Sequence, residues 1–467
     1  MFIKQLYTNC LSEAAYYIES EGEAAIIDPL RDIEEYLLLA KERQATIKYI
    51  FETHFHADFV SGHIDLSKAT SAPIIYGPET ETRFKATVAK DGETFRIGKL
   101  QVIVLHTPGH TVESTCFLLK DENSKDYAVF TGDTLFVGDV GRPDLVSADT
   151  TKEEMAGLLY DSLHEKILPL SDNVIVYPAH GPGSSCGKNI GSNTQSTIGE
   201  QKQTNYALQQ DSKEAFVKVV TEGLVAPPNY FPINAVINKE GYDSIDTVLD
   251  KGLTALSVEE FKQQLENDAI IVDTRNASVF SSGFIPGSIF IGLEGKFAEW
   301  AGSLLPFDKP LILVTEEGQE KETVTRLARV GLSNVQGYLK GSFAAWQNAG
   351  EKIDLLIEVE ADELAMDIPF DENLVVVDVR KEVEFADGHV KEAVNIPLSN
   401  MVDPASMADI EDTDNLYLHC GSGFRSTIAA SLLKRQGIHN VRNVVGGWDT
   451  IKAQPGIKTE KDASVLN

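Results

Sequence analysis

A repeat of about 105 residues in the second half of the chain restricts its fold more than any other feature. Asp273 of the first copy corresponds to Asp378 of the second. Around these two residues the sequence reads IVDTR and then VVDVR, and a second pair of apolar runs, LILV and LYLH, follows at the same spacing. Each copy alternates runs of strand length with helical segments. The repeat therefore predicts two copies of one small α/β domain, each a parallel sheet with helices on both faces.

The whole chain is predicted to form three domains. Its 467 residues exceed the roughly 250 to 300 residues at which a single core stops growing. Ahead of the repeat, short β-rich runs alternate with helical segments until Pro227, Pro228 and Pro232, which resist both helix and central strand. The predicted domains are residues 1–245, 253–352 and 357–460.

Charge and hydropathy exclude several classes of partner. The 71 Asp and Glu residues outnumber the 41 Lys and Arg residues, and the resulting net charge of -30 repels nucleic-acid phosphates and anionic lipid. No run approaches the roughly 18 apolar residues of a membrane span, and the first residues lack the regions of a secretory signal. We expect a cytoplasmic homo-oligomer that binds no nucleic acid and no membrane.

Side chains that bind metals follow four apolar runs of the first predicted domain. They are His54, His56, Asp58, His110, Asp133 and His180. A metal needs deprotonatable groups converging on one point, and glycines beside three of these residues let the backbone turn sharply. One such His alone would more often be a core residue with its hydrogen bonds satisfied. Taken together, the four segments predict a metal site, although spacing does not separate metal ligands from the groups that orient them.

Residues 54–59 (HFHADF) resemble the H-x-H-x-D-H signature of the metallo-β-lactamase superfamily, with Phe59 in place of the last His. The resemblance implies an N-terminal αββα sandwich. In the binuclear zinc hydrolases of that superfamily, such as glyoxalase II, the last His helps to hold a second ion, and a benzyl ring cannot. We therefore expect one ion per chain. Two imidazoles and one carboxylate with open positions form the facial triad that suits non-haem iron and oxygen chemistry.

Residues 132–136 (GDTLF) and 138–144 (GDVGRPD) are similar to the signature of the persulfide dioxygenase branch. By position, this resemblance implies Fe(II) held by His54, His110 and Asp133, with zinc as the alternative metal. It implies that the remaining candidates support the reaction, orient the ligands or position the substrate, and these are His56, Asp58, Arg142, His180, Thr111 and Cys186. The glycines and Lys188 around Cys186 favour a lowered thiol pKa, and a small buried turn residue is the alternative.

A second kind of chemistry is predicted at Cys420, which lies between a strand and a helical run. The loop is Gly421, Ser422, Gly423 and Phe424, closed by Arg425. Backbone N–H groups and a helix N-terminus at this junction stabilise a thiolate or a persulfide. The C-x4-R spacing, together with GHVKEAVNIP at residues 388–397, resembles the rhodanese domain, whereas phosphatases use C-x5-R. The first copy carries Thr315 and Glu320 at the matching positions, so it cannot carry sulfur in this way.

The two resemblances together imply a fusion enzyme of hydrogen sulfide metabolism. It would use O2 to oxidise a small thiol persulfide, such as glutathione persulfide, to sulfite, and Cys420 would move sulfane sulfur between thiols and sulfite, giving thiosulfate. One alternative is a glyoxalase II-like zinc thioester hydrolase fused to a rhodanese. Another is a non-enzymatic persulfide sensor that uses Cys420 as its reporter. The first rhodanese copy spaces its neighbours, packs between them or lines a shared channel, and the sequence leaves this open.

Overall fold

The first half of the chain pairs its strands into two six-stranded sheets. In this computed structural model, which describes residues 1–145, 150–407, 410–411 and 413–462, the first sheet follows chain order: β1 (Phe2–Thr8), β2 (Glu13–Ser20), β3 (Glu23–Ile27), β4 (Thr46–Phe51), β5 (Ile74–Tyr76) and β6 (Thr87–Val88). The second sheet has the order β12-β11-β10-β9-β8-β7, and its strands are β7 (Thr94–Ile97), β8 (Leu100–His106), β9 (Thr115–Lys120), β10 (Asp126–Gly132), β11 (Ile175–Pro178) and β12 (Ser196–Thr197).

Alternation along the strands explains how these sheets pack. Successive side chains of a strand point to opposite faces, so Tyr16 and Ile18 of β2 enter a core that also contains Phe117 and Phe130 of the second sheet. Tyr17 points the other way and packs with the apolar side of the helices α1 and α2. The helices of this region are α1 (Glu34–Glu42), α2 (His63–Thr70), α3 (Lys152–Ser162), α4 (Ile198–Thr204), α5 (Lys213–Thr221) and α6 (Phe231–Glu240). The outcome is the αββα sandwich that the sequence predicted.

The two sequence repeats fold with the same topology. The first has the strand order β13-β17-β16-β14-β15, with β13 (Ala255–Leu256), β14 (Ile270–Asp273), β15 (Ile289–Phe290), β16 (Leu311–Val314) and β17 (Val335–Leu339). The second has the equivalent order β18-β23-β22-β19-β21, with β18 (Ile357–Val359), β19 (Leu374–Asp378), β21 (Val394–Asn395), β22 (Asn415–His419) and β23 (Val441–Val444). A separate antiparallel pair is formed by β20 (His389–Val390) and β24 (Thr459–Glu460). Every pair within these two five-stranded sheets is parallel, which confirms the predicted sheet type.

Helices precede, connect and follow these parallel strands. They are α7 (Ile245–Gly252), α8 (Val258–Glu266), α9 (Ala277–Ser282), α10 (Phe297–Leu304), α11 (Glu320–Arg329), α12 (Ser342–Asn348), α13 (Ala361–Asp367), α14 (Glu382–Ala386), α15 (Phe424–Arg435) and α16 (Gly447–Ile451). By backbone contacts the chain divides into two units, residues 1–247 with 325–333, and residues 248–324 with 334–467. No helix within the described residues is both long and apolar enough to cross a membrane.

Candidate metal centre and sulfur-transfer loop

The ends of four strands carry the candidate metal ligands. In the second sheet, β8, β10 and β11 run in the same direction, because β9 is antiparallel to both β8 and β10 while β11 is parallel to β10. Their carboxyl ends therefore share one edge, and His110, Asp133 and His180 follow these ends. His54 follows β4 of the first sheet. Both sheets thus contribute to one site from rigid strand ends.

Three of the candidates converge as the resemblance implied. The Nε2 atoms of His54 and His110 lie 3.7 Å and 3.3 Å from Oδ2 of Asp133. Each residue offers one ligand atom, and the three atoms all lie within 4.8 Å of one another in a fully buried group. One point can therefore be reached by two imidazole nitrogens and one carboxylate oxygen, leaving the rest of a metal's coordination sphere open.

Hydrogen bonds on the far side of each imidazole set the direction in which it faces. Nδ1 of His54 lies 2.9 Å from the hydroxyl of Thr53, which in turn donates to Oδ2 of Asp28 at 2.8 Å. Nδ1 of His110 lies 2.9 Å from the carbonyl oxygen of Arg142. If both Nδ1 atoms carry the proton and donate, each Nε2 lone pair faces the shared point, which is the arrangement of metal-binding histidines.

Two glycines allow these groups to approach so closely. Gly132 has φ of +50°, and a Cβ there would lie 2.7 Å from the side chain of Thr53. A Cβ on Gly141 would lie 1.9 Å from the carbonyl oxygen of Asp133 and 3.0 Å from Nδ1 of His110. Both contacts are shorter than a carbon atom tolerates, so only glycine fits beside this triad.

The protonation states of the triad suit a divalent cation. Burial would raise the pKa of Asp133, but the charge and hydrogen bond of His180 outweigh burial and hold this pKa far below its usual range. Burial and neighbouring His56 hold the pKa of His54 well below its usual value. Oδ2 of Asp133 is buried and accepts no hydrogen bond from the described residues. A neutral imidazole beside an ionised, unpartnered carboxylate oxygen fits a bound Fe(II) or Zn²⁺.

His180 and Asp58 form a separate hydrogen-bonded pair beside the triad. Nδ1 of His180 lies 2.7 Å from Oδ1 of Asp133, and its Nε2 lies 2.8 Å from Oδ2 of Asp58. Burial would lower the pKa of His180, but the two carboxylates outweigh burial and raise this pKa well above its usual value. His180 is therefore an imidazolium held between two acids, and it orients Asp133.

His56 faces away from the triad. Its Nε2 lies 3.1 Å from Asp28 and 3.8 Å from Glu52, and these three residues form a second buried group with metal-binding side chains. Burial and Asp28 raise the pKa of Glu52 well above its usual range. The ring of Phe59 packs on His56 with centroids 4.3 Å apart. Phe59 thus fills its position with hydrocarbon and offers no ligand atom.

The remaining predicted residues occupy other positions. The guanidinium of Arg142 binds both oxygens of Asp144 at 2.6 Å, so its backbone carbonyl, rather than its side chain, supports the metal ligand His110. The hydroxyl of Thr111 lies 2.7 Å from that of Ser114, within its own loop. Cys186 is buried in a group with Asp58 and His180. Burial and the carboxylates of Asp58 and Asp133 raise the pKa of Cys186 well above its usual value, so the predicted lowering was wrong.

The second site lies at the end of β22. Cys420 follows the strand directly, and α15 begins at Phe424. The backbone N–H of Gly423 donates to the Cys420 sulfur at 3.1 Å, and Gly423 adopts φ of 104° to do so. The hydroxyl of Ser426 donates to the same sulfur at 3.7 Å. Both donors and the start of a twelve-residue helix stabilise negative charge on sulfur.

Arg425 is held by an acid that the sequence did not reveal. Its two terminal nitrogens lie 2.7 Å and 2.9 Å from the two carboxylate oxygens of Glu384 in α14. This bidentate pair raises the pKa of Arg425 and fixes the guanidinium beside Cys420. In the first repeat, Thr315 follows β16 directly and α11 begins at Glu320, so the predicted equivalence of the two loops holds in the fold.

Two other supporting residues escaped the sequence reasoning, namely Asp28 and Thr53. Asp28 follows β3 just as the other candidates follow their strands, and it has a positive φ of 51°. An acidic residue directly after an apolar run was therefore a usable signal. Thr53 carried no signal of its own, because a threonine before a histidine has no preferred role.

Comparison with known proteins assigns both halves of the chain to known families. Residues 8–180 match the metallo-beta-lactamase superfamily, and residues 257–349 and 360–454 match the rhodanese-like domain. The chain is 34% identical over 165 residues to a probable hydroxyacylglutathione hydrolase of Schizosaccharomyces pombe. The matched segment covers 35% of this chain and 60% of that relative. The chain thus spans about three fifths of the length of that curated relative.

Two solved structures are also similar. A metallo-beta-lactamase from Staphylococcus aureus subsp. aureus COL is 32% identical with a TM-score of 0.64, over 73% of this chain and 98% of that one. ETHE1 from Myxococcus xanthus is 30% identical with a TM-score of 0.43, over 51% of this chain and all of that one. Since nearly the whole of the Staphylococcus aureus structure is matched at this identity, the chain belongs to the metallo-β-lactamase superfamily and carries two rhodanese-like domains after that domain.

Proposed function

We propose that the N-terminal domain is an iron-dependent persulfide dioxygenase and that the second rhodanese-like domain transfers sulfane sulfur. The observation that carries the proposal is the convergence of His54, His110 and Asp133, in a sequence that has Phe59 where the binuclear hydrolases have a further His. Phe59, whose ring packs on His56, offers no ligand atom and cannot help to hold a second ion. A mononuclear site of two imidazoles and one carboxylate suits iron and dioxygen.

Iron(II) bound by this triad would supply the redox chemistry that lets dioxygen react with a sulfur anion. The protein residues provide the rest of the site. Asp133 would offset part of the metal's charge, and the rings of His54 and His110 would complete the triad. His180 holds a proton between two carboxylates. The overall reaction converts a persulfide anion, O2 and water into a thiol, sulfite and one proton, so charge and atoms balance.

Cys420 would then combine the sulfite from that reaction with the sulfane sulfur of a second persulfide molecule. Its thiolate attacks the outer sulfur of a persulfide, the S–S bond of the donor breaks, and the donor leaves as a thiolate. Transfer of this sulfur from Cys420 to sulfite forms thiosulfate and restores the Cys420 thiolate. Joining both sites in one chain raises the effective concentration of sulfite near its acceptor.

A zinc-dependent thioester hydrolase is the second candidate function. The name of the Schizosaccharomyces pombe relative, a probable hydroxyacylglutathione hydrolase, favours it. Two imidazoles and a carboxylate also hold catalytic zinc in hydrolases. Phe59 argues against the binuclear form of such an enzyme, because its ring occupies the place of a ligand.

Metal content and oxygen uptake distinguish these candidates. Protein purified without oxygen and loaded with Fe(II) should hold one iron per chain and consume one O2 per glutathione persulfide. His110→Ala should lose both iron and oxygen uptake, whereas His164→Ala, at a partly exposed histidine outside the site, should keep both. Bound zinc with hydrolysis of a hydroxyacylglutathione and no oxygen uptake would refute the proposal in favour of the hydrolase. Absence of turnover in both assays would favour a sensor instead.

A further inference from the structure

The cavity in front of Cys420 is built by both rhodanese-like repeats. It has a volume of about 610 Å³, and its lining includes Lys296, Glu299 and Trp300 of the first repeat with Lys381 and Arg425 of the second. Cavities of about 300 to 1,000 Å³ hold organic ligands of drug size. At about 30 Å³ per water molecule in the liquid, sulfite or thiosulfate alone would leave most of this space to solvent.

The first repeat is packed firmly against the helix that follows the sulfur-transfer loop. The hydroxyl of Ser431 in α15 accepts the backbone N–H of Phe290 at 3.0 Å, and Arg435 donates to the carbonyl of Gly287 at 2.8 Å. The ring of Phe424, the first residue of α15, meets the ring of Phe290 edge to face with centroids 5.7 Å apart. Residues of the first repeat therefore have a defined position relative to Cys420.

The charges around the cavity balance. Its lining contains three cations, Lys296, Lys381 and Arg425, and three anions, Glu294, Glu299 and Glu384. Lys296 and Glu299 lie 2.8 Å apart, and Glu384 occupies both terminal nitrogens of Arg425. A small dianion meets no excess of positive charge here. A molecule with its own ammonium and carboxylate groups finds partners of both signs.

We infer that the first repeat determines the donor specificity of the Cys420 site, because it binds the organic part of a zwitterionic thiol carrier such as glutathione. Trp300 offers the apolar face, and Lys296 and Glu299 offer charged partners. The first repeat thus selects the donor although it lacks a nucleophile. The inference rests on the sulfur-transfer part of the proposed function and names its substrate class.

The reaction at Cys420 allows a test without oxygen chemistry. The Cys420 thiolate attacks the outer sulfur of glutathione persulfide, the glutathione S–S bond breaks, and glutathione leaves as a thiolate that takes up a proton. With thiosulfate as donor the same bond forms on Cys420 and sulfite leaves. Neither reaction needs an oxidant, so anaerobic single-turnover rates report on Cys420 whatever the N-terminal domain does.

The full-length protein should be mixed anaerobically with each donor, and persulfide on Cys420 followed by alkylation and mass spectrometry. Trp300→Ala should slow transfer from glutathione persulfide about tenfold and transfer from thiosulfate less than twofold. Trp300→Phe, which keeps an aromatic face, should stay within threefold of the parent with both donors. Val279→Ala, at a residue of the first repeat that is 44% exposed and outside the cavity lining, should change neither rate.

Three results would overturn the inference. An equal loss with both donors in Trp300→Ala would indicate a disturbed loop rather than a lost contact with the organic group. Unchanged rates with both donors would show that Trp300 contributes nothing to recognition. Failure of the parent Cys420 to accept sulfur from either donor would refute sulfur transfer itself, while oxygen uptake would still test the dioxygenase separately.

Discussion

The hydrogen-bonded relay of His54, Thr53 and Asp28 offers the sharpest test of the metal centre. Thr53→Val keeps the shape of the side chain but removes the hydroxyl that lies 2.9 Å from Nδ1 of His54 and donates to Asp28 at 2.8 Å. The N–H of His54 then has no acceptor, and one oxygen of Asp28 loses a donor. All three residues are buried, so water cannot replace the hydroxyl readily.

The size of the effect follows from what is lost. Removing a supporting partner of a metal-binding histidine reduces metal affinity about 10- to 100-fold. This range corresponds to about 1.4 to 2.8 kcal/mol of binding free energy. Each buried group left without its hydrogen bond also costs about 1 to 3 kcal/mol of stability. We therefore expect Thr53→Val to weaken both iron binding and the metal-free fold.

A matched substitution separates these two effects. Thr107→Val makes the same change at a fully buried threonine whose hydroxyl contacts Thr134 at 2.9 Å and none of the triad. Competition with a chelator measures the affinity, and denaturant unfolding of the metal-free protein measures the stability. Both variants should be destabilised, but only Thr53→Val should bind iron at least tenfold more weakly. If its affinity stays within twofold of that of Thr107→Val, the relay does not orient His54.

Four further predictions concern single residues. Phe59→His should raise the metal content from one towards two ions per chain, measured by elemental analysis, and unchanged content would contradict our explanation of the single ion. Cys420→Ser should leave oxygen uptake intact and abolish thiosulfate formation, measured by product analysis; loss of both would indicate one coupled site. Glu384→Gln should free the positive charge of Arg425 and speed transfer from thiosulfate relative to glutathione persulfide, and an unchanged ratio of single-turnover rates would argue against charge balance as the cause. Burial, with His56 and Arg31 nearby, lowers the pKa of His63 from 6.5 to about 3. Only the unfolded chain then takes up this proton between those pH values, so stability falls as pH drops from about 6.5 towards 3, and His63→Phe should make that decline shallower in denaturant titrations.

The clustering of the strand-end residues was predictable, because the direction of each strand determines the sheet edge at which its last residues lie. An apolar run that ends in a polar motif places that motif at a sheet edge, and neighbouring strands of one direction bring their motifs together. His110, Asp133 and His180 meet in this way behind β8, β10 and β11. The parallel sheets of the two repeats were predictable for a related reason, since strand, helix and strand recur in a fixed order.

Side-chain direction and dielectric environment were not predictable in the same way. His56 lies two residues from His54, yet its ring points to Asp28 and Glu52. The ring of Phe59 packs against that of His56, and the sequence pattern does not reveal such contacts. The lowered pKa predicted for Cys186 rested on its sequence neighbours, the glycines and Lys188. In the fold this thiol is buried beside carboxylates, and both factors favour the protonated form.

The role of the first rhodanese-like repeat shows why a missing motif is weak evidence of a missing function. Thr315 replaces the nucleophile, so sequence alone removes this copy from sulfur chemistry. Its contribution lies on another element, because Lys296 directly precedes α10 and Glu299 and Trp300 lie in the first turn of that helix, about 15 to 19 residues before Thr315. These residues line the Cys420 cavity, and α15 of the second repeat packs against β15 of the first. A duplicated domain that loses its cysteine can therefore still select which donor reaches the cysteine of its neighbour.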